Sequence, residues 1–437
     1  MKNNVLPKSM LENAHGSGIP MYDLCVIGAG MIGSATAKHV SEIKRENQRI
    51  CLIGPSEPKD RHNDTERDIY GAHYDEGRIA RTTDSNPVRA TLAERSIKVY
   101  RELERQSGVR FFSEVGYVAL AKKDSIYIKK IIAASAKCHL NFEVLNSRKA
   151  KVEFPFLNVN DNDSCIIEKK TSGHINPRNL IQALQLVAKQ NGCDIIDDVV
   201  NGVQSITRAN SDTYSEITLS SGQKLFSKKV LLATGAFTAF RNLLPRHPEP
   251  NIALISQTVL KVEIDEHDAY KLRNMPSISY DQQEETQCLP NNVLSHAYIL
   301  PPIRYPDGKI YIKVGHGSDF EMTLTSSKEV AEWYQGHGHP DAKQPLLGTL
   351  QHVVKGFTPL STTCDTCVTT RTPTSRLYID MLSPTLGVAI GGNGWAAKSC
   401  IEIGKIAALM VTSDSGHWTY DIPRENFRFC TKKLSKL

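Results

Sequence analysis

The sequence predicts an α/β fold, α+β overall. One parallel-stranded domain is assembled from separated stretches of chain, and a mainly antiparallel region is inserted between them. Three observations predict this. An apolar run, MYDLCVI over 21–27, meets Gly28, Gly30 and Gly33, and a helical pattern and a second apolar run, RICLI over 49–53, follow. Two later stretches return to the same character, KVLLATGA over 229–236 and LGVAIGGNGW over 386–395. Between them, residues 256–264, 297–303 and 309–315 read as strands of a separate, more antiparallel sheet.

In chain order, residues 1–20 are polar, lack the apolar centre of a secretory leader and read as a flexible arm. The 21–27 run reads as a buried strand. After the glycines, Ile32, Ala35, Ala37, Val40 and Ile43 follow helical spacing, and 49–53 reads as the next strand. Thr91–Arg105 reads as a helix and Phe112–Ala121 as a strand. Leu180, Ile181, Leu184, Val187 and Ala188 form one apolar stripe on a helix over Arg178–Gln190, with Pro177 ahead of it and Gly192 behind. The 229–236 run reads as a buried strand ending in a small-residue turn, 335–347 as a Gly/Pro/His-rich loop, and the stretch through Met410 as the last helix. This assigns 21–107, 174–245 and 359–412 to the parallel-stranded domain, 108–173 and 246–358 to the inserted domain, and 413–437 to a C-terminal tail.

A length of 437 residues leaves room for two to three domain-sized units. No stretch approaches the length that crosses a bilayer, so a membrane partner is not expected. The net charge of +6 is mild over this length, and it comes without a Lys/Arg block or interleaved basic and aromatic residues, which argues against nucleic acid. The ten cysteines, Cys25, Cys51, Cys138, Cys165, Cys193, Cys288, Cys364, Cys367, Cys400 and Cys430, read as thiols. Cys364-Asp-Thr-Cys367 has CxxC spacing, but neither a second such pair nor paired histidines complete a zinc site, so no metal is expected. The last three residues, Ser435-Lys436-Leu437, match the tripeptide read by the peroxisomal import receptor.

The glycine corner has a physical reading. Gly28 permits the tight turn, Gly30 lets the backbone approach a pyrophosphate, and Gly33 lets helix and strand pack closely. The helix that opens at Met31 and Ile32 offers unpaired N–H groups and the positive end of its dipole to the phosphates. In its strand–turn–helix–strand context this is the Rossmann-like dinucleotide fingerprint. The acid expected at the end of the second strand, to hold a ribose hydroxyl, is replaced by Gly54. Ser56 or Glu57 close by, or backbone and water, take its place. A further strand ending in Ala233-Thr234-Gly235-Ala236, and the Gly391–Gly394 turn returning to the same place, favour FAD over NAD.

Four further segments carry chemistry. They are His73-Tyr-Asp-Glu-Gly-Arg78-Ile-Ala-Arg81, Ile312-Lys313-Val314-Gly315-His316, Cys367-Val-Thr-Thr-Arg-Thr-Pro, and Gly391-Gly392-Asn393-Gly394-Trp395-Ala-Ala-Lys398. An arginine forks onto a carboxylate in two parallel hydrogen bonds. A lysine inside an apolar strand is costly unless it has a partner. With the glycine corner, these segments resemble the glycine/D-amino-acid oxidase superfamily, and most its sarcosine oxidase and pipecolate oxidase branch, from Tyr22 to Met410.

The resemblance implies a Rossmann-like FAD-binding domain, discontinuous in the chain, with an inserted antiparallel substrate domain. It implies Arg78 beside the flavin ring and Arg81 on the substrate carboxylate. It implies Lys313 beside the flavin, where a fixed positive charge stabilises superoxide. The family's substrate-site histidine falls on Gly317 or, shifted by one, on His316. Cys367 corresponds to the cysteine bonded through sulfur to the 8α carbon of FAD, and a substrate-lining tyrosine two residues on becomes Thr369. Lys398 corresponds to a second lysine on the substrate carboxylate, with two extra residues of spacing and Asn393 in place of histidine. Thr234, Gly235, Gly392, Asn393, Gly394 and Lys398 join Gly28, Gly30, Met31, Ile32, Gly33, Glu57, Arg78 and Cys367 as the implied cofactor contacts. The implied protein is a monomeric FAD-dependent amine oxidase that converts a secondary, N-methyl or cyclic amino acid and O2 to an imine and H2O2. A dehydrogenase with a non-oxygen acceptor, or an oxidase of glycated amino acids, are the alternatives. A peroxide-forming oxidase fits a peroxisomal address.

Overall fold

A strand that is apolar on both faces needs cover on both, and the chain supplies it at its first element. Met21–Ile27 runs parallel between Ile50–Ile53 and Lys224–Leu232, with Leu24 opposite both Ile50 and Lys229. Cys193–Ile196 extends the sheet in parallel beyond Ile50–Ile53. On the other side, Leu386–Ile390 runs parallel to the end of Lys224–Leu232 and pairs with Tyr378–Ser383. The hairpin Val200–Thr207 and Thr213–Leu219 completes the eight strands. This computed structural model describes residues 21–64, 66–207, 213–241, 243–244, 249–283, 289–413 and 418–432. The arm over 1–20, Cys288 and the Ser435–Leu437 tripeptide lie outside the described residues.

Helix Met31–Ile43 packs between helices Pro177–Gln190 and Cys400–Thr412. The approach to the last helix is close. A Cβ added to Gly404 would lie 2.5 Å from the Ala35 Cβ and 2.6 Å from the Ala35 carbonyl carbon. So the first and last elements of the parallel domain meet, although some 350 residues of chain separate Met31–Ile43 from Cys400–Thr412.

The second sheet has nine strands and is antiparallel except where Tyr117–Lys122 meets Ser277–Asp281. Its longest strand, Ala253–Ile264, has Ile310–His316 on one side and Ser361–Arg371 on the other. Gln257 faces Cys367 and Lys261 faces Lys313 in register. Gln257 and Lys261 are four residues apart and share a face, so Cys367 and Lys313 share it too. Cys364 and Cys367 are three residues apart on an extended strand and point to opposite faces. Cys364 packs against the apolar layer behind the sheet, and Cys367 looks the other way. The pair therefore cannot grip one ion, and the described residues contain no cluster suited to a metal. A small third sheet joins Arg78–Ala80, Gly173–Ile175 and Phe112–Ser113.

Four local expectations change. The helix expected over Thr91–Arg105 is two helices, Pro87–Lys98 and Tyr100–Ser107, broken at Val99. It begins early because the Asn86 side chain accepts from the Arg89 amide and Pro87 suits the first turn. The strand expected over Phe112–Ala121 is split by Gly116, at φ +85°, into Phe112–Ser113 and Tyr117–Lys122, which serve different sheets. Part of the 335–347 loop is a helix, Lys343–Val353, entered by a turn over Pro340–Ala342. Ser361–Arg371, counted with the parallel domain from the sequence, pairs along its whole length in the second sheet. The described residues contain no helix long and apolar enough to cross a membrane.

Gly404→Ala should destabilise the chain by about 1–3 kcal/mol in urea unfolding, because the overlap with Ala35 outweighs the gain in helix propensity.

Candidate active site

Three glycines at the corner act as the sequence suggests, but in different ways. Gly28 has φ +110°, and a Cβ there would lie 2.4 Å from the Ala233 carbonyl oxygen. At Gly33 it would lie 1.8 Å from the Gly28 carbonyl oxygen, so this glycine packs the helix on the turn. A Cβ at Gly30 would meet nothing within 4 Å. Gly30 caps the helix without a side-chain hydrogen bond, leaving the first N–H groups to the cleft beyond. Gly28, Gly30, Met31 and Ile32 line that cleft. Thr234 and Gly235 line it from the strand end opposite, and Gly391, Gly392 and Gly394 from the late turn. An open glycine cradle at a helix N-terminus, continued by an apolar trough, fits a dinucleotide.

The ribose position resolves differently. A side chain at Gly54 would lie 2.5 Å from the Ala29 amide nitrogen, so no acid fits there without moving the glycine corner. Glu57 lies outside the cleft wall. It receives both Nε and Nη2 of Arg178, at 2.7 and 2.5 Å, and the Arg178 Nη1 goes on to Glu76 at 2.6 Å. The Ser56 amide donates to Asp197.

At the far end of the cleft, remote segments converge. Cys367 lines the wall, and its Sγ lies 3.9 Å from Arg78 Nη2 and 3.7 Å from the Ala72 carbonyl oxygen. Arg78 Nη2 also donates to Ala72 O at 2.9 Å, and its Nη1 donates to Asp75 Oδ2. Lys313, with no exposed surface, donates to the same Oδ2 and to Gly77 O at 2.8 Å. Its Nζ lies 5.6 Å from the Tyr298 ring centre. Gly315 is needed beside it, since a Cβ there would sit 2.3 Å from the Tyr298 ring. Burial and the Arg78 charge pull the Lys313 ammonium down to about 8, against the opposing pull of Asp75. Burial alone would raise the Asp75 carboxyl, but Lys313 and Arg78 hold it well below the usual carboxylate range.

The second cationic pair sits apart from the cleft wall. Lys398 and Arg81 both approach Asp84, at 3.5 and 3.9 Å, and Arg89 approaches it at 3.8 Å. Three cations thus surround the buried Asp84, and the buried Glu168 carboxylate also acts on Arg81. Burial lowers Lys398 to about 8. Lys398 and Arg89 both lie over the Trp395 ring, whose buried Nε1 has no hydrogen-bond partner. His316 is tied down: its Nε2 accepts the Thr258 amide at 3.1 Å, and its Nδ1 faces the Gly317 carbonyl at 3.2 Å. Both nitrogens of the neutral ring are thereby engaged by backbone. Asn393, at φ +52°, turns its side chain into its own loop, accepting the Thr372 amide at 2.8 Å and donating to Gly391 O. It holds the turn, while its glycine neighbours face the cleft.

Several contributors escape a reading of motifs. Asp75 stands three residues before Arg78, a spacing that lets a carboxylate and guanidinium meet. Asp84 stands three after Arg81 in the same way. Tyr305 and Tyr298, which surround the Asp75–Lys313 pair, carry no sequence signal. Nor do Tyr70 and Tyr334, which line the cleft and stack on each other with ring centres 5.3 Å apart.

Comparisons with known proteins follow from this geometry. The sequence model of the DAO family, described as FAD dependent oxidoreductase, matches residues 23–410. The chain is 26% identical over 242 residues to a monomeric sarcosine oxidase of Streptomyces avermitilis, and 24% identical over 235 residues to an N-methyl-L-tryptophan oxidase of Yersinia pestis. Each match covers 52% of this chain and 59% of the relative. The fold is similar to that of NikD, an amino acid oxidase of nikkomycin biosynthesis, with a TM-score of 0.70 at 19% identity, covering 94% of this chain and 98% of that one.

Gly30→Ala should unfold at the wild-type urea midpoint yet retain less flavin through gel filtration, because position 30 is open toward the cleft alone. Gly33→Ala should lose about 1–3 kcal/mol of stability, or fail to fold, because its Cβ strikes backbone.

Proposed function

The chain belongs to the DAO family of FAD dependent oxidoreductases, and on that premise we propose that it oxidises the C–N bond of a secondary, N-methyl or cyclic amino acid, sarcosine- or pipecolate-like, with O2, yielding an imine and H2O2. The observation that carries the reading is the meeting of Cys367, Arg78 and buried Lys313 at one end of a glycine-cornered cleft. When bound, FAD supplies the acceptor for the hydride equivalent from the carbon beside the amine, and the route for two electrons to O2.

The chain's own residues divide the rest. The N–H groups after Gly30 hold the pyrophosphate. Thr234, Gly235 and the Gly391–Gly394 turn frame the cofactor, and the Cys367 sulfur is the point of covalent attachment. Arg78 and Lys313, less the one charge of Asp75, keep the wall positive where electrons arrive. Arg81 and Lys398 supply the charge for a substrate carboxylate beyond what Asp84 takes up, and the unpaired Trp395 Nε1–H is a further donor there. Thr369 lines the cleft and leaves room for a bulkier substrate substituent than a tyrosine would. The Ser435-Lys436-Leu437 tripeptide is carried forward as a peroxisomal address, tested by whether a fluorescent fusion sorts to peroxisomes only while the tripeptide is present.

Acid-precipitated wild-type protein should keep its yellow colour, and Cys367→Ala should release it to the supernatant. A colourless wild-type pellet overturns covalent attachment. In a peroxide-coupled screen of N-alkyl and cyclic amino acids, Lys313→Met should lower the oxygen step by about a hundred-fold or more, with reduction by substrate much less affected. Reoxidation that is slow with O2 but fast with a quinone would favour the dehydrogenase. Lys313 keeps its proton only up to about pH 8, below the ordinary value for lysine, so reoxidation should decline as pH rises through 8.

A further inference from the structure

An ammonium without exposed surface survives in a fold only where a carboxylate and hydrogen bonds compensate for lost water. Lys313 meets that condition through a single side chain. Its Nζ has Asp75 Oδ2 and Gly77 O as acceptors. The other carboxylate oxygen, Oδ1, accepts the Tyr305 hydroxyl at 2.9 Å and the Glu76 amide at 2.7 Å. Arg78 shares Oδ2 with Lys313. Each oxygen of Asp75 therefore has two donors, and the carboxylate cannot turn without breaking contacts on another element. Asp75 comes from the loop before Arg78–Ala80, Tyr305 from the turn after His296–Arg304, and Lys313 from Ile310–His316.

We propose that Asp75, oriented by the Tyr305 hydroxyl, is the positioning residue of this site: it fixes the Arg78 guanidinium at the cleft wall and the Lys313 ammonium behind it, and keeps Lys313 charged. The proposal rests on the reading that Lys313 serves oxygen reduction. The ionisable groups facing Lys313 bear it out. Asp75 and Arg78 face it from the loop, Tyr298 from the strand beside it, Tyr305 from the turn after that strand, and Lys261 from the strand on the other side. His174 faces it from the small sheet, and Cys367 from beyond Arg78. Burial holds the two tyrosines neutral and keeps His174 uncharged. Lys261 has its own carboxylate, Asp365, at 3.2 Å. Among the described residues, Asp75 is the carboxylate that balances Lys313, while Arg78 repels it.

The test compares wild type with Asp75→Asn and Tyr305→Phe in two measurements. In the loaded enzyme, the pH midpoint of reoxidation by O2 should fall by one unit or more in Asp75→Asn, so that at pH 8 the rate drops on the order of ten-fold. Tyr305→Phe keeps the carboxylate and should move the midpoint the same way by less. The second measurement is the urea-unfolding free energy of the full chain between pH 7 and 8. In wild type, folded Lys313 gives up part of its proton toward pH 8 while the unfolded chain keeps it, so stability rises modestly with pH. In Asp75→Asn the folded state gives up that proton at lower pH, so stability should rise more steeply across this window than in wild type. Adding Lys313→Met should abolish the rise. A reoxidation midpoint and an unfolding slope that both match wild type in Asp75→Asn would overturn the proposal. If wild-type reoxidation proves slow at every pH, the oxygen reading fails by itself, and the unfolding slope still decides whether Asp75 sets the Lys313 charge.

Discussion

The carboxylate of Asp75 accepts hydrogen bonds from two cations, a phenol and a backbone amide inside a wall that water scarcely reaches. That arrangement constrains its surroundings. The small sheet presents Arg78 beside the second sheet. A bulge between Leu300 and Ile303 lies on the strand that leads to Tyr305. Gly77 has no room for a side chain, since a Cβ would meet Leu300 at 2.5 Å and Ile303 at 2.9 Å. Three elements from distant parts of the chain are thus tied at one point, and that point lies where the parallel domain and the antiparallel sheet share a cleft.

Such a cluster is a poor way to make a fold stable. Desolvating two cations and an anion costs several kcal/mol per ion, and apolar residues of the same volume would often do as well or better. Stability comes from elsewhere, from the apolar strands around Met21–Ile27 and the layer behind Ala253–Ile264. A fold that carries a destabilising charge cluster at the end of an open cleft retains it for what it does to a bound molecule. The Asp84 group, with three cations at 3.5 to 3.9 Å, is looser.

Local features were legible in the sequence and long-range ones were not. The glycine corner reads correctly because Gly28, Gly30 and Gly33 act within one strand–turn–helix, and the spacing of Pro177–Gln190 is set by a single buried face. Tertiary partners decide the rest. Glu57 looks available for a ribose until Arg178 arrives from 121 residues away to claim it. His316 looks like a site histidine until the neighbouring strand brings the Thr258 amide to its Nε2. Asn393 looks like a replaced ligand, but its left-handed backbone makes it the keystone of a turn. Asp75 and Asp84 went unremarked because a carboxylate three residues from an arginine is common on any surface, and only burial separates these two from that background. Gly116 divided one apparent strand between two sheets, which periodicity alone does not show.

The odd spacing of Cys364 and Cys367 along an extended strand has a chemical corollary. In a loop, two thiols at that interval could swing together. Here the sheet itself stands between them as a partition, one sulfur packed against the apolar layer and the other facing the cleft. If an oxidant is released at that wall, Cys364 cannot reach through the sheet to trap the Cys367 sulfur as an internal bridge. The cysteine stays committed to whatever the cleft holds.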